Sequence, residues 1–274
     1  MIISDWLMSA AKTLEQASIP SARLDAELIL AETLRKDRTY LHAHPEKEID
    51  PRRFDIAEAR LQLRLERIPL AYILGYKEFY SRQFKVSPSV LVPRPESEDM
   101  ISLFLTLTND DNSPKTLIDV GTGSGILGIT AKLEKPSLRV ILSDVSELSL
   151  DIAAKNANNL NTEVTIQQQS LLAGPIEPVD YILANLPYVD KNWPTSPELQ
   201  HEPKIALFAD DNGLKLIKNL ITQAPQHMTP NGLLLLEADP EQHQAIINFA
   251  EAYSLRLIVQ QHYILALRLI SAEG

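Results

Sequence analysis

Two short segments concentrate the residue types that do chemistry. The first is Asp119-Val120-Gly121-Thr122-Gly123-Ser124-Gly125. The chain has only nine glycines, and four of them (Gly121, Gly123, Gly125 and Gly128) fall in or just after this stretch. A chain so sparing with glycine has a backbone reason for the cluster, either a sharp turn or a ligand approached closely by main chain. The apolar residues before it and the helical pattern after it make a strand, a loop and a helix, whose free N–H groups suit a polar ligand. The spacing is Gly-x-Gly-x-Gly, not Gly-x-Gly-x-x-Gly, and no Gly-Lys-Ser/Thr follows, so neither a dinucleotide fingerprint nor a phosphate loop is present. Asp144 stands 19 residues after Gly125 and ends the run Val140-Ile141-Leu142-Ser143. A carboxylate there accepts both hydroxyls of a ribose. The bland alternative is a structural glycine turn with a surface Asp. Loop and acid together favour a nucleoside-like ligand, and the spacing favours S-adenosylmethionine over a dinucleotide.

The second segment is Asn185-Leu186-Pro187-Tyr188, which follows the apolar run Val179–Ala184. It falls at the carboxyl edge, where open α/β sheets bind ligands. A planar NH₂ group donates two hydrogen bonds, and the Asn185 side-chain oxygen and the Leu186 carbonyl are suited to accept them. Pro187 stiffens the turn and holds Leu186 extended. Tyr188 is placed to lie over the planar group. Such a clamp aims a nitrogen lone pair and stabilises positive charge developing on nitrogen. The bland alternative here is an asparagine turn with a core tyrosine.

These segments need a sheet to hold them. Short apolar strands are expected at Thr116–Val120, Arg139–Ser143, Glu163–Gln168, Val179–Ala184, Gly232–Ala238, Leu255–Val259 and Tyr263–Leu269. Helical patterns fall between most of them, at Ile126–Glu134, Ser146–Asn159, Gly213–Thr222 and Pro240–Tyr253. The alternation predicts a mainly parallel sheet covered on both faces, with the last two strands as an antiparallel hairpin edge. Residues 1–66 read as helices alone. Ser4 is the expected cap of the first, with Leu7, Ala10, Ala11 and Leu14 on one face. Pro20-Ser21 opens the second, with Leu24, Leu28 and Ala31 aligned and Glu27 four residues after Arg23. Asp50-Pro51 caps the third. Aromatic residues crowd 72–84, and Phe79–Val86 alternates before Ser89–Val92, so a hairpin is expected there. A further helix is expected from Ser97 to Thr108. The expected organisation is a helical domain at 1–75, a hairpin linker at 76–95 and an α/β domain at 96–274.

Composition narrows the classes. Hydrophobic residues are 45% and charged residues 23% of 274, ordinary for a folded globular chain. No apolar run reaches bilayer-spanning length and no signal peptide is apparent, so the cytoplasm is the expected compartment. There is no cysteine, and the six histidines form no His-x-x-x-His pair, so no metal site is expected. The net charge of −10 argues against direct binding of nucleic acid through its phosphates.

With the glycine loop, the acid on the second strand and Asn-x-Pro-Tyr in order, the chain resembles a Rossmann-like class I S-adenosylmethionine-dependent methyltransferase acting on a planar nitrogen. Three flanking segments make the resemblance specific: Arg67–Gly75, Glu78-Phe79-Tyr80 and Val92-Pro93-Arg94-Pro95-Glu96-Ser97-Glu98. With Glu202-Pro203, Ala206-Leu207, Gly213-Leu214, Asn231-Gly232 and Leu236-Glu237, they resemble the peptide-chain release factor glutamine N5-methyltransferase family over about residues 20–245. The resemblance implies transfer of a methyl group to the glutamine of the Gly-Gly-Gln motif in class I release factors. It implies cofactor contacts from Asp119, Gly121, Thr122, Gly123, Ser124, Gly125, Asp144, Ser170 and Asn185. Asn185, Leu186, Pro187 and Tyr188 would hold the substrate amide, and the N-terminal domain would help grip the factor. The chain departs from the family pattern in having Leu186 where Asn-Pro-Pro-Tyr is usual, Asp239 where glycine is frequent, and no terminal Asp-x-x-Gly-x-x-Arg. A ribosomal-protein glutamine, a nucleic-acid adenine and a non-catalytic cofactor-binding docking protein are the alternative readings.

Overall fold

The computed structural model describes residues 1–111, 113–174 and 177–270. It separates into two compact units: Met1–Tyr76 with Ser196–His201, and Lys77–Thr195 with the chain from Glu202 onward. No helix of the described residues is long and apolar enough to cross a membrane.

The first unit is helical: α1 (Ile3–Gln16), α2 (Ala22–Leu34), α3 (Arg38–Ala43), α4 (Pro51–Leu65) and α5 (Leu70–Leu74). Asp50 caps α4 by accepting from the backbone of Arg52 and Arg53, as its cap-then-proline pattern announces. The expected Ser4 cap is wrong. α1 starts at Ile3, and its first N–H groups are taken by main chain instead, Ile3 by the Lys47 carbonyl and Ser4 by that of Pro45, both at 2.9 Å. The short α3, capped by Asp37, has no apolar period to announce it. The face expected of α2 is buried only in part. Ala31 is buried and Leu28 half-buried, but Leu24 is 43% exposed, and Ala22, Ala26, Ile29 and Leu30, outside that face, are buried as well. α1, α3, α4 and α5 all pack on α2, and an enclosed helix has no single apolar stripe to read. Its buried acids are paired. Asp25 accepts from Arg64 at 2.7 Å, and Glu27 from Arg38 at 2.5 Å and Arg23 at 3.2 Å. Arg64 and Arg67 also grip Glu198, at 3.2 and 3.3 Å, which fastens the segment Ser196–His201 to this unit.

The second unit opens with a hairpin, β1 (Tyr76–Phe79) and β2 (Arg82–Lys85). Its turn residues Tyr80 and Ser81 both have positive φ, the backbone that matches strand twist in a two-residue turn. Ser89–Val92 is not a strand. The Val92 N–H donates to the buried carboxylate of Glu202 at 2.9 Å instead of to a ladder. Then follow α6 (Ser97–Leu107), β3 (Thr116–Val120), α7 (Ile126–Glu134), β4 (Arg139–Asp144), α8 (Glu147–Asn159), β5 (Thr165–Gln168) and β6 (Val179–Ala184). The chain closes with α9 (Lys215–His227), β7 (Met228–Glu237), α10 (His243–Glu251), β8 (Leu255–Gln261) and β9 (Ile264–Leu269).

The sheet order is β5-β4-β3-β6-β7-β9-β8. β5 to β7 run parallel, and β9 inserts antiparallel between β7 and β8. Alternation explains the unbroken apolar runs. Leu117, Tyr181, Leu183, Leu233 and Leu235 pack into one layer with Met100, Phe104 and Ile129. Ile118, Ile182, Leu234 and Leu236 pack into the other with Ile217, Leu220 and Ile246. A strand covered on both faces has no polar side to show. Each fully buried Leu or Ile contributes about 2 kcal/mol, so the central strands have little freedom to shift register.

Asn156 ties hairpin and sheet together. It is 1% exposed. Its amide accepts from Lys85 N at 2.7 Å and donates to Lys85 O at 3.0 Å and to Ser124 O at 2.8 Å. The last bond reaches into the glycine loop. Asn156→Ala therefore strands buried main-chain groups and is expected to lower stability by about 3 kcal/mol. A urea titration checks this through a lower midpoint at unchanged slope.

Candidate functional site

The carboxyl ends of β3, β4 and β6 are neighbours in the sheet, and the loops after them surround a cavity of about 330 Å³. That volume suits a small organic ligand. Its wall includes Asp119, Gly121, Thr122, Gly123, Ser124, Asp144, Ser170, Asn185, Leu186 and Pro187, so the structure brings most of the expected residues together. Gly125 and Tyr188 are not part of the wall. Gly125 is the left-handed residue that starts α7, with φ +84°, where an added Cβ would meet Ile129 at 2.7 Å. Ser89, Leu91, Pro93, Arg94, Ser97 and Gln169 also line the cavity.

The glycine loop is held by two carboxylates. Asp119 is buried, and its Oδ2 accepts from Thr122 Oγ1 at 2.6 Å and from Gly128 N at 2.9 Å, tying both ends of the loop. Its Oδ1 is buried without a hydrogen-bond partner. Burial lifts the Asp119 pKa to about 6, against which the Thr122 and Gly128 bonds work. Asp144 accepts from Gly123 N at 3.0 Å through Oδ2 and from Ser146 N at 2.9 Å through Oδ1. The acid expected on a ribose thus also pins the loop, and a carboxylate has lone pairs for both. Gly121 and Gly123 have φ +69° and +54°. At Gly121 a Cβ would come within 2.9 Å of Leu186 Cδ2, whereas nothing lies within 4 Å at Gly123. The loop and the Asn-Leu-Pro-Tyr segment are therefore packed on one another, and Leu186, 4% exposed, gives its side chain to the core.

From the wall residues Asn185 and Ser97 a polar network runs to Glu237 and Tyr188. Asn185 Nδ2 donates to Ser97 Oγ at 3.0 Å, Ser97 Oγ donates to Glu237 Oε2 at 2.6 Å, and Tyr188 OH donates to Glu237 Oε1 at 3.2 Å. Burial raises the Glu237 pKa, opposed by the Ser97, Tyr188 and Asn185 bonds, while nearby Glu96 adds to the rise. Burial first, then the Glu237 charge, also raises the Tyr188 phenol. The Tyr188 carbonyl accepts from Gln242 Nε2 at 2.8 Å, and Gly213, at φ +82°, leaves no room for a side chain against that carbonyl. Arg94, on the cavity wall, donates from Nη2 to Glu202 Oε1 at 2.6 Å.

A chain from Koribacter versatilis called release factor glutamine methyltransferase is 41% identical over 88% of this chain and 89% of its own length. The chain belongs to the release factor glutamine methyltransferase family. One of the same name from Coxiella burnetii is 34% identical over 94% of this chain and 91% of its own. Family models match residues 5–75 as a PrmC N-terminal domain and 96–202 as a methyltransferase small domain. A methyltransferase structure from Pyrococcus furiosus superposes with a TM-score of 0.53 at 16% identity, covering 71% of this chain and 92% of that one, and so shares the fold. The expected Rossmann-like class I methyltransferase sheet is the fold of this family member.

Residue type and spacing assign no role to Ser97, Asn156, Glu237 or Gln242. Glu237 carried a signal: it is the one charged residue closing the apolar run Leu233–Leu236 at the carboxyl edge. Asn156 carried none, since its partners are main-chain atoms brought together by folding.

The Asp119 shift has a stability consequence with a definite sign. The group ionises near 3.8 when unfolded and near 6 when folded. It therefore costs nothing below pH 3.8. The cost grows as pH rises through that interval and levels off above 6, at about 3 kcal/mol by the usual 1.36 kcal/mol per unit. The unfolding free energy of Asp119→Asn minus that of the unsubstituted chain is expected to rise between pH 4 and pH 7. Denaturant titrations at the two pH values measure it, and a flat difference would refute the assignment.

Proposed function

We propose that this enzyme transfers a methyl group from S-adenosylmethionine to the side-chain amide nitrogen of the glutamine in the Gly-Gly-Gln motif of class I release factors. The observation that carries the reading is the setting of Asn185. It stands on the wall of the cavity that the glycine loop also lines, with Nδ2 turned to Ser97 and Oδ1 therefore turned from it. Family membership supplies the substrate class.

The residues present fit the cofactor. Asp119 Oδ1 is a buried carboxylate oxygen without a partner, suited to the ammonium of a methionine moiety. The wall residues Gly121, Thr122, Gly123 and Ser124 offer main chain to the same moiety, with Gly125 setting the backbone behind them. Asp144 and Ser170, also on the wall, would contact the ribose. S-adenosylmethionine supplies, when bound, a methyl carbon made electrophilic by a sulfonium.

The chain's own residues do the rest. An amide nitrogen is a weak nucleophile because its lone pair is delocalised, so placement matters more than basicity. Asn185 Oδ1 and the Leu186 carbonyl accept the two N–H bonds of the glutamine and hold the nitrogen in line with the methyl group. As the nitrogen bonds the methyl carbon and gains positive charge, those acceptors bind more strongly than in the ground state, which lowers the barrier; the electron pair of the broken carbon–sulfur bond would stay on the sulfur, and the nitrogen would lose one of its two protons to water. Leucine at position 186 leaves this intact, because only its carbonyl is needed. Pro187 restricts the backbone, and Tyr188 closes the segment against Glu237. Residues 1–75 act as the domain that grips the factor, and the acidic chain takes a protein substrate, not a nucleic acid. The site of action is the cytoplasm, where release factors work.

Asn185→Ala is expected to leave cofactor affinity largely intact and lose about 100-fold in methyl transfer, the loss of an oriented acceptor costing on the order of 3 kcal/mol. Calorimetry with S-adenosylmethionine and transfer of labelled methyl to a purified release factor separate the two effects. Labelling of RNA in place of the factor, or near-normal transfer by the variant, would overturn the reading.

A further inference from the structure

We infer that Ser97 and Glu237 are positioning residues, which lock the Asn185 amide with its oxygen toward the substrate. The inference rests on the reading of the cavity as a glutamine site. The Ser97 hydroxyl has a single proton, and at 2.6 Å that proton goes to Glu237 Oε2. Toward Asn185 the hydroxyl is left only its lone pairs, so it must accept, and Asn185 must present its NH₂, as it does at 3.0 Å. An asparagine amide is nearly symmetric in shape, so packing alone chooses weakly between its two orientations. Here the choice is made by chemistry. With the amide reversed, Asn185 Oδ1 would face a hydroxyl whose proton is committed elsewhere, two acceptors in contact. Ser97 and Glu237 are 0% and 1% exposed, so no solvent relieves that conflict.

The choice of glutamate at position 237 follows from the same count. Burial raises the Glu237 pKa, but the three donors Ser97, Tyr188 and Asn185 oppose that rise by favouring the charged form, and in that form the carboxylate only accepts, so the polarity of the chain Asn185 to Ser97 to Glu237 runs one way. It also receives the Tyr188 hydroxyl at 3.2 Å, so both ends of Asn185–Tyr188 are referred to one anchor. Glutamine would have nearly the same shape but could donate to Ser97. Ser97 could then donate to Asn185 Oδ1, and the amide would offer its own NH₂ to the substrate NH₂, donor against donor.

The test uses the full-length enzyme and two readouts. With S-adenosylmethionine and a purified class I release factor, Glu237→Gln is expected to lower kcat on the order of 10- to 100-fold, the scale for a misplaced reacting group. The KM for S-adenosylmethionine should stay within about twofold, as for an interaction not used in cofactor binding. Glu237→Asp, which restores an acceptor-only group, should recover part of the loss. In the second readout, NMR on the apo enzyme with nitrogen-15-labelled asparagine follows the Asn185 side-chain protons. They should exchange slowly in the unsubstituted chain and lose that protection in Ser97→Ala. Unprotected Asn185 protons in the unsubstituted chain, or a Glu237→Gln kcat within about threefold of normal, would overturn the inference. Absence of transfer to the release factor by the unsubstituted enzyme would instead overturn the proposed function, and the NMR readout, which needs no substrate, would still decide the inference. If Glu237→Gln does not fold, Ser97→Ala decides the kinetic arm.

Discussion

The carboxyl edge of this sheet depends on one buried carboxylate. Asp119 reaches across the glycine loop to Thr122 at its start and to Gly128 inside the following helix. β3, which carries it, lies between β4 and β6, so whatever fixes Asp119 fixes the loop relative to both neighbours. Gly128 has no room for a side chain: a Cβ there would come within 3.0 Å of Asp119 Cβ and closer still to Leu142. That close approach is what lets a helix N–H reach the carboxylate. The second acid, Asp144 on β4, completes the arrangement by holding Gly123 from the opposite side.

The buried acids of the two units are handled differently. In the helical unit Asp25 and Glu27 sit against arginines. Such pairs offset the loss of hydration with an opposite charge. In the α/β unit Asp119 and Glu237 receive hydroxyl, amide and main-chain donors and, among the described residues, no buried cation, and both ionise less readily than usual. Of the two, Asp119 borders the cavity, and its Oδ1 has no partner. When ionised, such an oxygen favours a cationic ligand beside it.

The departure from the usual family motif has a packing explanation. Leu186 lies against Gly121 and points into the apolar layer with Ile118, Ala184 and Leu214. A proline there would constrain the backbone directly. Leucine is constrained by its surroundings instead: by the core on one side, and further along by Gln242, whose amide holds the Tyr188 and Asn212 carbonyls. The rigidity that the motif loses in its own covalent structure is supplied by neighbours distant in sequence.

Much of this was legible before folding. The parallel sheet followed from apolar runs alternating with helical periods, and the glycine cluster, Asp144 and Asn185 were visible because φ > 0 and hydrogen-bond chemistry restrict residue type at single positions. The cap at Asp50 was visible for the same reason. What tertiary structure decided were the pairings that have no local period. Ser4 lost its cap role to carbonyls of Pro45 and Lys47, and Ser89–Val92 lost its ladder to Glu202. The buried face of α2 was set by four surrounding helices. The orientation of the Asn185 amide depends on Ser97 and Glu237, 88 and 52 positions away. A residue's type constrains its own backbone and its own protons. Which groups meet those protons is settled only when distant strands and helices are brought to the same edge.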